Sequence, residues 1–171
     1  PEDQILGMDR VNTSPAMAID HTTGRVYVVY QRNNATGTGD IALRTFTGAC
    51  QAGPAVLLNS NPGNDRAQFA PYITVDQSNG RVHVNWYDQD AADTGDLTET
   101  MHTYSTNQGT SWSPPTPATD RPFHAGYGND TSQPNLGDYN QAVARSGKLY
   151  SIWAGNTVRP LFDEGQPTSS Q

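Results

Sequence analysis

The chain has 171 residues and a net charge of −7, with a pI near 4.8. That length allows one domain with a sizeable core, and that charge argues against phosphate backbones and anionic lipid surfaces as partners. Only 16% of the residues are charged although the mean hydropathy is −0.69; Thr, Ser, Asn, Gln and Gly supply the polarity, and with 16 Gly and 12 Pro this is the composition of a turn-rich all-β protein.

The first residues, PEDQILGMDR, have neither a basic nor an apolar stretch, so no signal peptide is visible. A mature or truncated chain would look the same. No apolar run reaches the roughly 18 residues of a membrane-spanning helix. From Ser14 the chain reads SPAMAIDHTTGRVYVVYQ, and from Ala70 it reads APYITVDQSNGRVHVNWYD. Pro15 and Pro71, Asp20 and Asp76, Gly24 and Gly80, Arg25 and Arg81, and Tyr30 and Trp86 all lie 56 residues apart. Gly39-Asp40 and Gly95-Asp96 extend the match at the same spacing. A shorter third copy, YNQAVARSGKLYSIWAG, places Gly147 at the position of Gly80 and Trp153 at that of Trp86, at a spacing of 67. Such internal repetition is the mark of a repeat architecture.

Each copy opens with two strands. The β-branched and aromatic residues of RVYVVYQ and RVHVNWYD alternate with the period of a sheet. Between the strands, Asp-x-x-x-Gly predicts a hairpin whose Asp bonds its own backbone and whose Gly takes positive φ. Third strands are expected at about 40–46 and 96–104, and fourth strands at about 55–59 and 112–117. DYNQAVARSG is the nearest approach to an amphipathic helix, but it aligns with the first strand of the other copies. Cys50 excludes an internal disulfide and is expected to be a half-buried small hydrophobe. The sequons at Asn12, Asn34 and Asn129 carry little information in a chain so rich in Asn, Ser and Thr. The arrangement predicted is copies at about 14–66 and 70–122, a partial copy at about 135–163, and a tail from 164 to 171. Four antiparallel strands per unit of this length is the period of a β-propeller blade.

STNQGTSW, residues 105–112, resembles the Asp-box, or BNR, motif of sialidase-like β-propellers, whose pattern is Ser-x-Asp-x-Gly-x-Thr-Trp. Ser105, Gly109 and Trp112 match; Asn107 replaces Asp and Ser111 replaces Thr. The first copy carries no such box. The resemblance covers about residues 14–156 and implies a hairpin between the third and fourth strands. There Ser105 and Asn107 would bond the turn, Gly109 would supply the left-handed residue, and Trp112 would pack beneath. Its role would be structural. Family members close rings of six or more blades, so about two and a half blades imply a larger propeller, or closure by self-association or with further blades. Otherwise long strand edges would face water. The resemblance also implies a secreted, extracellular or periplasmic protein.

A residue shared by all copies is expected to hold a blade together, whereas one unique to a copy is a better functional candidate. Arg25, Arg81 and Lys148 fall in the first group. Asp88, Asp90, Asp93 and Asp96 fall in the second; such a cluster could attract Ca²⁺, or form a solvated acidic loop. His124, Tyr127, Asp138 and Tyr139 lie in or beside a long Gly- and Asn-rich connection and could bond and stack on a sugar; alternatively, Asp138 and Tyr139 begin a strand. The active enzymes of the family need three Arg on a carboxylate, a Tyr nucleophile with a Glu partner, and an Asp acid/base. Of the nine Arg, none stands in an Arg-Ile-Pro context, and the only Glu are Glu2, Glu99 and Glu164. No carboxyl pair stands out for the spacing of about 5 Å that a retaining glycosidase requires. G-x-S-x-G, H-E-x-x-H, Walker A and paired-Cys motifs are absent. The expected function is therefore binding of a glycan or protein without catalysis, with two alternatives. One is a sialidase-like glycoside hydrolase whose site is completed by other blades; the other is a pure scaffold.

Overall fold

The computed structural model describes residues 13–90, 97–125, 136 and 139–155. They form twelve strands: β1 (Ala16–Asp20), β2 (Arg25–Asn33), β3 (Gly39–Thr47), β4 (Gln51–Ala52), β5 (Val56–Leu57), β6 (Gln68–Asp76), β7 (Arg81–Asp88), β8 (Leu97–Ser105), β9 (Thr116–Pro117), β10 (Phe123–His124), β11 (Gln141–Arg145) and β12 (Lys148–Ile152). All pairings are antiparallel, in three sheets. Sheet one runs β1-β2-β3-β4 with β5 also on β3. Sheet two runs β10-β8-β7-β6 with β9 also on β8, and sheet three is the hairpin β11-β12. The fold is all-β, as the composition and alternation led one to expect. DYNQAVARSG supplies strand β11, not a helix. No helix among the described residues is long and apolar enough to cross a membrane.

The same Asp-to-Gly turn recurs in sheets one and two, while sheet three turns on Ser146 and Gly147 alone. Asp20 pairs with Arg25, Asp76 with Arg81, and Arg145 with Lys148. Gly24, Gly80 and Gly147 have φ of +68°, +72° and +78°, the left-handed region that a Cβ disfavours. The third strand departs from the sequence alignment. Arg32 faces Asp40, but its equivalent Asp88 faces Glu99, so the second copy's connection is three residues longer. Glu99, not Asp96, is therefore the counterpart of Asp40. The fourth strands are shorter than expected, reduced to Val56–Leu57 and Thr116–Pro117. Cys50 is exposed rather than half-buried. It closes a one-turn 3-10 segment after β3 with φ of +58°, where no strand alternation turns it inward. In β6 the register shifts between Phe69 and Tyr72; the bulge holds Pro71, which has no N–H for a ladder.

The sheets stack face to face. Tyr27, Val29, Ile41 and Leu43 of sheet one pack with Ile73, Val75, Val82, Val84, Trp86 and Met101 of sheet two. Each large apolar side chain so buried contributes about 1.5–3 kcal/mol. Sheet two is covered on both faces: β7 is buried at every position after Arg81, whereas β2 buries only Tyr27 and Val29. A second cluster, Phe69, Tyr87, Phe123 and Leu136, packs with Trp153 and Ala154 after β12. The outer faces of the stack stay open. Met17 is 64% and Ile19 40% exposed on sheet one, and Tyr150 is 61% and Ile152 68% exposed on sheet three. Met17 and Ile19 are the repeat equivalents of the core residues Ile73 and Val75; Tyr150 and Ile152 are those of Tyr27 and Val29.

Candidate functional site

One end of the stack carries the hairpins. Asp20 accepts from the Thr22 N–H at 2.9 Å and the Thr23 hydroxyl at 2.8 Å. Asp76 accepts from the Ser78 N–H and hydroxyl at 2.9 and 2.6 Å, and from the Gly147 N–H of sheet three at 2.6 Å. The Ser78 hydroxyl and these N–H donors hold its carboxyl down to about 2. Gln77 reaches back to sheet one, accepting from the His21 N–H and donating to the Ile19 carbonyl. These acids hold turns and join sheets.

Residues 105–112 spend their polar groups in the same way. The Ser105 hydroxyl donates to Asn107 Oδ1 at 2.9 Å and accepts from the Gly109 N–H at 2.9 Å. Asn107 Oδ1 also accepts from the Ser111 N–H, and its Nδ2 donates to the Ser111 hydroxyl. Gly109, at φ +81°, lies over Tyr27 and beside Trp112; Trp112 packs partly buried against the core. Arg25 donates to the Gln108 carbonyl at 3.1 Å, tying sheet one to this turn. Arg81 lies over the Tyr104 ring, 4.8 Å from its centroid.

The opposite end holds a buried polar network. Asp88 Oδ2 accepts from Trp86 Nε1 at 2.9 Å, and Oδ1 from the Asp90 N–H at 2.8 Å and Gln68 Nε2 at 3.4 Å. Asp90 accepts from Asn61 Nδ2 at 2.6 Å. Asp40 Oδ1 accepts from the Gly63 N–H and Asn59 Nδ2, and its Oδ2 stands 3.8 Å from Arg32. Glu99 faces Asp88 across the sheet; burial and that neighbouring charge push its carboxyl up. Asp88 thus turns inward to N–H donors. Asp93 and Asp96 lie outside the described residues. No group of three or more His, Cys, Asp or Glu able to hold a metal occurs among the described residues. Asn59 and Gln68, which bond each other at 3.1 Å, were not visible in the sequence as members of this network because buried amides leave no motif.

The third candidate group is divided. His124 is buried on β10, whereas Tyr139 is 88% exposed; one side chain turns inward and the other outward. Tyr127 and Asp138 lie outside the described residues.

Sequence reasoning missed the face of sheet two that meets sheet three. There His83, Asn85, Thr100 and His102 occupy the positions that Tyr27, Val29, Ile41 and Leu43 hold in sheet one. His83 Nδ1 lies 3.0 Å from His102 Nε2, one ring donating to the other. Burial, the His102 ring and Arg81 push His83 down to about 4, and burial with Arg81 lowers His102. Asn85 Nδ2 donates to the Ser151 hydroxyl at 2.8 Å, while Asn85 Oδ1 is buried without a partner. Beside it opens a cleft of about 440 Å³, lined by Asn85, His102, Pro117, Leu149, Tyr150 and Trp153 among others. The signal was present at the 56-residue spacing: Tyr27 becomes His83 and Val29 becomes Asn85.

No family model and no curated protein matches the chain. Among solved structures it is similar to the Hadza microbial sialidase Hz136, with a TM-score of 0.50 and 16% identity over 60% of this chain. The match spans 25% of that sialidase. The fold is therefore sialidase-like, and the matched part of the chain spans about a quarter of that sialidase's length.

Proposed function

We propose that the chain is a segment of a secreted BNR-repeat β-propeller that binds a glycan or protein and has no catalysis of its own. In this reading sheets one, two and three are successive blades, and residues 105–112 are an Asp-box closing the second. The open faces at Met17 and Ile19, and at Tyr150 and Ile152, are then blade faces, to be covered by further sheets of the same kind. The supporting observation is the use of the buried acids: Asp20, Asp76 and Asp88 all accept bonds from the N–H or O–H groups that shape turns and loops. The copy-shared Arg25 and Arg81 are likewise spent on a carbonyl and a ring. A glycan array probed with the intact protein tests the reading; binding to a defined set of glycans is expected, and an empty array with glycans and cell-surface extract alike would overturn it.

A second reading, a sialidase-like hydrolase completed by other blades, draws support from the raised carboxyl of Glu99 opposite Asp88. Release of 4-methylumbelliferone from a sialyl conjugate by the full-length protein would favour it over the first.

A further inference from the structure

The interface between sheets two and three is built from the wrong residues for a scaffold. Sheet one receives its neighbour on Tyr27, Val29, Ile41 and Leu43, all fully buried. Sheet two presents His83, Asn85, Thr100 and His102 at the same positions. A buried amide or hydroxyl left without a partner is unfavourable by about 1–3 kcal/mol. Asn85 is 7% exposed and its Oδ1 has no partner, and Thr100 Oγ1 is also buried without one. Sheet one also buries one unpartnered polar atom, the Tyr27 hydroxyl, but sheet two carries an amide, a hydroxyl and two imidazoles at the equivalent positions. Polar groups kept at such a cost are a mark of a binding site.

We propose that the cleft between sheets two and three is a binding subsite for a neutral hexopyranose residue. This deepens the glycan-binding reading and rests on it. The cleft volume of about 440 Å³ falls within the roughly 300–1,000 Å³ common for small-molecule sites. Its walls combine the two kinds of surface a pyranose needs. Trp153 offers an aromatic face for the apolar C–H face of the ring. Asn85, His102 and Ser151 offer an amide, an imidazole and a hydroxyl for sugar hydroxyls. Among the described residues no charged side chain lines the cleft; the nearby Arg81 is stacked on Tyr104. An acidic sugar would find no guanidinium fork to pair its carboxylate, so the subsite favours a neutral ring. Burial and Arg81 disfavour the charged form of both imidazoles, which limits positive charge at the cleft.

The test titrates the intact protein with methyl glycosides of glucose, galactose, mannose and N-acetylglucosamine, and with the methyl glycoside of sialic acid. Binding is read by calorimetry and by tryptophan fluorescence, since Trp153 lines the cleft. At least one neutral glycoside should bind saturably and the sialic acid glycoside should not. His102→Ala, at a cleft position that is only partly buried, should weaken that binding about tenfold or more, as should Asn85→Ala. Tyr139→Ala should leave it unchanged. If the array shows glycan binding that His102→Ala and Asn85→Ala both leave intact, the subsite is overturned and the broader reading stands. If neither the array nor the titration shows binding, both fall. Preference for the sialic acid glycoside at this cleft would also overturn the proposal.

Discussion

Acidification from pH 7 to pH 5 should destabilise the fold through His83. The ring is buried between sheets, bonded to His102 and close to Arg81, and it titrates at about 4 against 6.5 when unfolded. Between those values the unfolded chain binds more protons, so stability is fully present above 6.5 and is lost as pH falls toward 4. At pH 5 this amounts to at most about 2 kcal/mol, and solvent in the adjoining cleft reduces it to about 1 kcal/mol. Glu99 acts in the opposite sense, because its raised carboxyl is more readily protonated in the folded state. Asp76, held at about 2, contributes nothing in this window. Urea unfolding at pH 7 and pH 5 measures the loss, and the His83 ring proton shift, followed by NMR, measures the titration. His83→Gln should reduce the pH dependence, leaving the part due to the lowered His102. A His83 titration at 6 or above, or a fold more stable at pH 5 than at pH 7, would refute the reasoning.

Asp76→Ala should lower the urea midpoint more than Asp20→Ala, because Asp76 also holds the Gly147 N–H of sheet three; equal effects would show that bond to be idle. The stability Asp76 provides should persist above pH 4 and vanish as pH falls through about 2, its folded value. Gly109→Ala should cost about 1–3 kcal/mol, since φ is +81° there and a Cβ would press on Tyr27 at 3.3 Å. Asn107→Asp keeps the acceptor that Ser105 and Ser111 use and should stay within about 0.5 kcal/mol in the same urea assay. Chelation with EDTA should leave the thermal midpoint unchanged, because Asp88 is already engaged by Trp86, Gln68 and the Asp90 backbone; a clear drop would point to a bound cation.

The hairpins were legible in the sequence because their physics leaves few choices. A turn that needs an acceptor at one corner and positive φ at the other writes Asp and Gly each time, at 20 and 24, then at 76 and 80. The third strand was misaligned because the connection before it tolerates insertion. A chance Gly-Asp at 95–96 imitated Gly39-Asp40, while the ladder set Glu99 opposite Asp88. Cys50 was misplaced because a short turn has no periodicity to read. His83 and Asn85 lay in plain view within RVHVNWYD. Their polarity gained meaning only once the stack showed that their positions face another sheet, as Tyr27 and Val29 do. His102 was further hidden by the three-residue shift that separates it from Leu43.

A saturation-transfer difference NMR spectrum of the intact protein, mixed with neutral methyl hexosides and a sialyl glycoside, reads binding and turnover together. Saturation of neutral ring protons with the sialyl glycoside unchanged over hours is the expected result. Silence at every sugar, or accumulation of free sialic acid, would contradict a binding propeller without chemistry of its own.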